Sequence, residues 1–221
     1  EVPLARTVLL DLGYREVEDA GSDHEGVDSH HHAFTGPDGL VELHYRAFHG
    51  FGSSTLEYAT LAPQMVNGTW EGHPVRYLGL EDEFVYMSVH AANHLFARLS
   101  WLLDLELMRQ KHPDFDWGRI NALVQGHQLA NAMTLAWSLG ESVFGWEPLP
   151  ARTHAWSRGA WRGRQVSRLL RSGDRLASGR LSQSRVPAFL LRAYLADAPP
   201  QVGVHLARGV LRTARRHLRT S

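Results

Sequence analysis

The chain of 221 residues contains no cysteine. That absence removes disulfides, thiolate metal ligands and cysteine nucleophiles together. It excludes a small disulfide-stapled secreted scaffold and fits a reducing cytoplasm. No stretch approaches the roughly 18 consecutive apolar residues that a membrane helix needs. The chain opens with Glu1 instead of Met, and no basic segment followed by an apolar one marks a secretory signal. It is read as processed or as a fragment. A serine-nucleophile elbow, a P-loop and a dinucleotide fingerprint are also missing.

What is present is ordinary globular material, 43% hydrophobic and 21% charged, enough for one large domain or two small ones. The net charge of zero conceals a division. Residues 1–150 carry 8 Lys or Arg against 21 Asp or Glu, whereas residues 151–221 carry 15 Arg, no Lys, and only Asp174 and Asp197 as acids. Two segments with different jobs, or two that attract one another, are implied. Histidine is skewed as well, with 9 of 14 between His24 and His94.

Leu4, Val8, Leu9 and Leu12 recur near helical spacing, and Gly13 suits the residue after a helix. Tyr14 to Val17 reads as a short strand, and residues 20–28 as a loop. The clearest local signal is a hairpin: Ser29 to Thr35 leads into Gly36-Pro37-Asp38-Gly39, and Leu40 to Phe48 leads out. On the exit strand Val41, Leu43 and Tyr45 alternate with Glu42, His44 and Arg46, so one face is apolar and the other polar. A Gly/Ser loop follows at 50–54, then a weak strand signal around Trp70 and Val75 to Leu80. From Glu81 one helix is expected to about Lys111, stopped before Pro113. Helices over about 117–128 and 129–144 precede the Pro148–Pro150 break. The arginine-rich remainder is helical, divided near Pro187 and at Pro199-Pro200. The expected fold class is α+β.

Several residues invite chemical readings. On a continuous helix at about 100° per residue, His90, His94, Trp101 and Asp104 form one stripe. A histidine pair at i and i+4 chelates metals, but the Glu of a zinc-protease pair is replaced by Ala91. The plainer reading is a hydrogen-bonded helix contact. In a strand His31 points away from His30 and His32, so the run does not read as three ligands to one ion, and an exposed hairpin strand is expected. Glu42 by itself fits solvated surface. Gly52-Ser53 and Asp114-Phe115-Asp116 mimic nucleotidyltransferase motifs by letters only, and Asp116 is placed to cap the helix that follows.

Taken in order, three blocks resemble the uncharacterised nucleotidyltransferase family, a branch of the polymerase-β-like nucleotidyltransferase superfamily. They are Leu9-Leu10-Asp11-Leu12-Gly13-Tyr14; Val41-Glu42-Leu43-His44-Tyr45; and the series His90-Ala91-Ala92-Asn93-His94, Leu99-Ser100-Trp101-Leu102-Leu103-Asp104 and Asp116-Trp117. Asn93 departs from the lysine common in that family. The resemblance implies transfer of a nucleoside monophosphate from a nucleoside triphosphate (NTP) to an unknown acceptor with Mg²⁺. Two such ions are held by three carboxylates, two of them from an Asp-x-Asp strand. Glu42 matches the third carboxylate and is expected as both metal ligand and catalytic residue. His44, Arg46, His90, His94 and Asp104 are expected on the substrate side, with Asp104 orienting an imidazole. In the family the Gly-Ser turn and the Asp-x-Asp strand precede the Leu-Gly-Tyr helix at which this chain opens. The polypeptide as given is therefore expected to be inactive.

Residues 1–52 are assigned to part of the nucleotidyltransferase palm, 53–150 to a helical domain over the acceptor, and 151–221 to an arginine-rich helical tail. Val204, Ala207, Leu211, Ala214 and Leu218 give that tail an apolar stripe amid arginines. It is expected to dock on the acidic front, with nucleic acid or an anionic surface as its other partners. The rival functions are a non-catalytic interaction protein and a histidine-based metal hydrolase.

Overall fold

The computed structural model describes residues 2–17, 31–49, 55–172, 175–179, 185–197 and Gly203. The α+β expectation holds: small antiparallel sheets come first, and helices follow. Helix α1 (Val2–Asp11) ends at Gly13, whose φ of 85° is the left-handed geometry glycine adopts without a Cβ clash. Tyr14 then lays its ring on Gly36, where a Cβ would sit 2.4 Å from the ring. The Leu-Gly-Tyr block thereby fastens α1 to the hairpin. Strands β1 (Arg15–Glu16), β2 (His31–Gly36) and β3 (Gly39–His44) make an antiparallel sheet in that order. Strands β4 (Arg46–His49) and β5 (Thr55–Glu57) pair next. After α2 (Tyr58–Leu61), the weak strand signal resolves into a hairpin of β6 (Val66–Trp70) and β7 (His73–Tyr77).

The single helix expected over 81–111 is two: α3 (Leu80–Asn93) and α4 (Leu99–Lys111). Neither glycine nor proline marks the break. Leu95 and Phe96 take φ of 52° and 51°, and both are buried. A left-handed non-glycine residue costs roughly 1–2 kcal/mol, while burying a Leu or Phe side chain contributes about 1.5–3 kcal/mol. Burial therefore wins over helical continuity. The Phe96 amide donates to the Ala91 carbonyl at 2.7 Å, so the helix end keeps its hydrogen bonds. The turn sends α4 back along α3.

Helices α5 (Trp117–Gly126) and α6 (Ala130–Phe144) fall close to their expected places. Asp116 caps α5, accepting from the amides of Gly118 and Arg119 at 2.8 and 3.2 Å, so its Asp-x-Asp spelling carries no metal chemistry. Asp116→Ala should cost about 1 kcal/mol, a fall of about 2–4 °C in melting temperature for a chain of this size. An unchanged melt would show the cap to be idle.

The core gathers Phe84, Phe115, Trp117, Trp137 and Trp146, with the rings of Trp137 and Trp146 4.9 Å apart. Beyond α7 (His154–Ser157), α8 (Trp161–Arg171) packs on α6, and α9 (Arg175–Ser178) and α10 (Arg185–Leu195) complete the described helices. Glycine 163 makes the α6–α8 approach possible, since a Cβ there would lie 2.2 Å from the Asn131 carbonyl oxygen. Arg192 Nε donates to the Asn93 carbonyl at 2.6 Å, and Gly179 abuts Ala97, so this part of the arginine-rich segment rests on the α3–α4 turn. The apolar stripe of Val204 to Leu218 lies outside the described residues.

Candidate functional site

The two-residue turn Pro37-Asp38 pairs Gly36 with Gly39, and that register sets His31 opposite His44 and Ala33 opposite Glu42. Directly paired residues project to the same side of a sheet. His31, Glu42 and His44 consequently share one face. The other face carries Phe34, fully buried, and His32, whose Nδ1 is 2.9 Å from Glu16 Oε1.

On the first face His44 Nε2 lies 3.4 Å from Glu42 Oε2, and His31 Nε2 lies 3.9 Å from Oε1. The two imidazoles stack at 5.1 Å. Side-chain exposure is 14% for His31, 28% for His44 and 48% for Glu42. The carboxylate thus reaches toward solvent from an imidazole floor. His31 departs from the exposed strand expected of the histidine run, because the stack on His44 covers it.

Helix α3 turns Tyr86 and His90 to this face. Burial lifts the Tyr86 hydroxyl above its ordinary pKa of 10.0, and the negative charge of Glu42 adds to the rise. Burial likewise lowers His90 below 6.5, His44 lowers it further, and Glu42 opposes them. The His90 ring lies 4.8 Å from that of His94 and 5.2 Å from Trp101, edge to face, while His94 and Trp101 are 5.4 Å apart. The guanidinium of Arg98 covers Trp101 at 5.7 Å. Three of the four expected stripe residues therefore meet, though by the reversal of α4 and not along one helix. The fourth, Asp104, lines a shallow groove of about 370 Å³ with Glu83, Met87 and Met108, one turn along α4 from Trp101. Arg46 opens β4, and its side chain falls outside the described part of the structure.

Sequence reasoning set His31 aside in an exposed strand and passed over Tyr86. A tight turn fixes register, so counting outward from Pro37-Asp38 was enough to set His31 against His44. For Tyr86 the signal was its place one turn before His90 on the same helix.

Residues 1–145 match the uncharacterised nucleotidyltransferase family. The chain belongs to that family. No curated protein and no solved structure matches it.

The nucleotidyltransferase reading implies divalent metal, and the donor set at Glu42 does not by itself fit a two-ion centre. Magnesium takes oxygen ligands, whereas this face offers one carboxylate among imidazoles. Among the described residues no group of three or more His, Asp or Glu is placed to hold an ion. The same observation weakens a zinc site at His90 and His94, whose common neighbour Trp101 has no ligating atom. Among the described residues no helix is long and apolar enough to cross a membrane.

The depressed His90 gives a pH prediction. Its folded pKa lies below that of the unfolded chain, so the unfolded state binds more protons as pH falls through the ordinary imidazole range around 6.5. The His90 contribution is neutral above that range and destabilising below it. In melts from pH 8 to pH 5, His90→Gln should lose less stability on the acid side than wild type. Parallel curves for the two proteins would contradict the sign.

Proposed function

We propose that this nucleotidyltransferase-family chain binds an NTP between the β2–β3 face and α3, and takes part in transfer of its nucleoside monophosphate to an acceptor hydroxyl. The observation that carries this reading is Glu42: a carboxylate half open to solvent, with imidazoles on two sides and the α3 rings across from it. A carboxylate on an otherwise well-formed strand, held only by contacts of 3.4 and 3.9 Å to His44 and His31 and open to solvent beyond them, remains able to engage a ligand.

The roles follow from chemistry and position. Imidazole N–H groups of His31 and His44 can donate to phosphate oxygens. The rings of His90, His94 and Trp101 offer a stacking surface for a base, with Arg98 adding positive charge at its edge. Near neutral pH the lowered pKa keeps His90 uncharged, so it can accept a proton or a hydrogen bond. Glu42 would serve as one oxygen ligand of a divalent ion. Such an ion supplies charge neutralisation to the triphosphate. Asp104, in the groove one turn along α4 from Trp101, is assigned a place beside this surface.

The test is titration of each of the four NTPs into the purified intact protein with Mg²⁺, followed by assay of pyrophosphate release. The reading requires binding of at least one NTP, and that binding should weaken when His44 is replaced by Ala. Equal indifference of wild type and His44→Ala to every NTP would defeat it.

A further inference from the structure

The arginines of residues 151–197 are arranged, not scattered. Helix α8 buries Gly163, Val166, Ser167 and Leu170 on one stripe. On another lie Arg164, Arg168 and Arg171, spaced i, i+4 and i+7 and therefore within about 60° of arc. Arg168 and Arg171 are exposed, and Arg164 is half-buried, donating to the Ser157 carbonyl at 2.9 Å. Arg175 extends the row from α9: its Nη1 lies 2.5 Å from Ser172 Oγ and 3.4 Å from the Leu169 carbonyl oxygen, both at the end of α8. No acid occurs in α8. Of the two acids in residues 151–221, Asp197 is committed to α6, accepting from the amides of Ala130 and Asn131 at 2.6 and 2.9 Å. Among the described residues, ion pairs of the acidic front join Arg6 to Glu16, Arg109 to Glu106 and Arg119 to Asp82. Glu141 of α6 feels the positive charge of Arg164, so the exposed charge of the row is that of Arg168 and Arg171.

The row also leads somewhere. Beyond α9, Gly179 sits against the Ala97 carbonyl. The next residue, Arg98, covers the Trp101 ring, and the rings of His94 and His90 follow. Arg98 thus brings positive charge to aromatic and imidazole rings beside the segment that continues from α9.

We propose that the face formed by Arg164, Arg168, Arg171 and Arg175, continuing to Arg98 and Trp101, binds a single strand of nucleic acid, with phosphates on the arginines and a base on the rings. Positive side chains beside stacking rings are what an unpaired strand engages. An anionic membrane fits less well, because the apolar stripe that would enter the lipid is already buried against α6. At Arg98 and Trp101 the strand shares the surface assigned to the nucleotide base, and there the proposal rests on that reading. The row of Arg164, Arg168, Arg171 and Arg175 lies outside that surface and does not depend on Glu42.

The experiment uses the intact protein, a fluorescent 12-nucleotide single-stranded RNA, and vesicles containing phosphatidylserine. Anisotropy should show binding to the RNA that weakens with salt, with a log–log slope of about 2–3 for four phosphate contacts. The variant Arg168→Ala/Arg171→Ala, at exposed positions, should melt like wild type while binding at least 10-fold more weakly and losing about 1.4 from that slope, half of it. Trp101→Phe should retain more affinity than Trp101→Ala, as a stacking role demands. Absence of RNA binding at 50 mM salt overturns the proposal. So does equal affinity of the double variant, or loss of vesicle binding without loss of RNA binding.

Discussion

Glu42→Gln is expected to lower NTP turnover by the intact protein at least 100-fold while lowering its melting temperature by no more than about 2–4 °C. The substitution keeps the side-chain shape and removes the charge. Structural cost is small because Glu42 is half exposed and its contacts to His44 and His31, at 3.4 and 3.9 Å, are long; such surface pairs contribute about 0–1 kcal/mol. Catalytic cost is large if the carboxylate acts on reacting groups, since the amide neither ligates a hard cation well nor accepts a proton. The same substitution removes the charge that opposes the depression of the His90 pKa, so His90 should titrate lower still. An NMR titration of His90 reads that shift without needing turnover. Near wild-type activity with an unmoved His90 would take Glu42 out of the site altogether.

The hairpin and this carboxylate were legible in sequence because both depend on local rules. Gly36-Pro37-Asp38-Gly39 specifies a turn, strand alternation then assigns Glu42 and His44 to one face, and the turn length sets His31 beside them. The Asp116 cap was legible for the same reason. The break between α3 and α4 was not. Leu95 and Phe96 carry no turn signal, and their left-handed backbone is selected by a core assembled from residues far away in sequence. The proximity of His90 and Trp101 therefore arose from a geometry different from the one that suggested it. Asp104 shows the consequence: a stripe drawn along one ideal helix carries it to the imidazoles, whereas the reversal of α4 sets it in the groove beside Met87.

The largest loss of stability should come from Gly163→Val. Valine would drive Cβ and two methyl groups into the Asn131 carbonyl oxygen and the Leu135 amide, which belong to the backbone of a buried helix and cannot rotate aside. Overpacking costs about 1–3 kcal/mol where side chains absorb it, so displacement of α8 should set the cost at or above the top of that range. A fall of about 6–12 °C in melting temperature follows for a chain of this length. The contact is also wired to polar groups. Asn131 Oδ1 accepts from the Gly163 amide at 3.1 Å, while its Nδ2 donates to Asp197 Oδ1 at 2.8 Å. Arg162 Nη2 reaches the Asp197 carbonyl at 3.0 Å. Asp197→Ala alone removes the cap on α6 and should cost about 1–2 kcal/mol. If α8, Asn131 and Asp197 act as one unit, the double variant should lose less than the two single losses added, because a displaced α8 has already loosened Asn131. Strict additivity in thermal or denaturant melts would instead mean that α8 packing and the α6 cap are independent, and that the arginine-bearing helix is held to α6 by apolar contact alone.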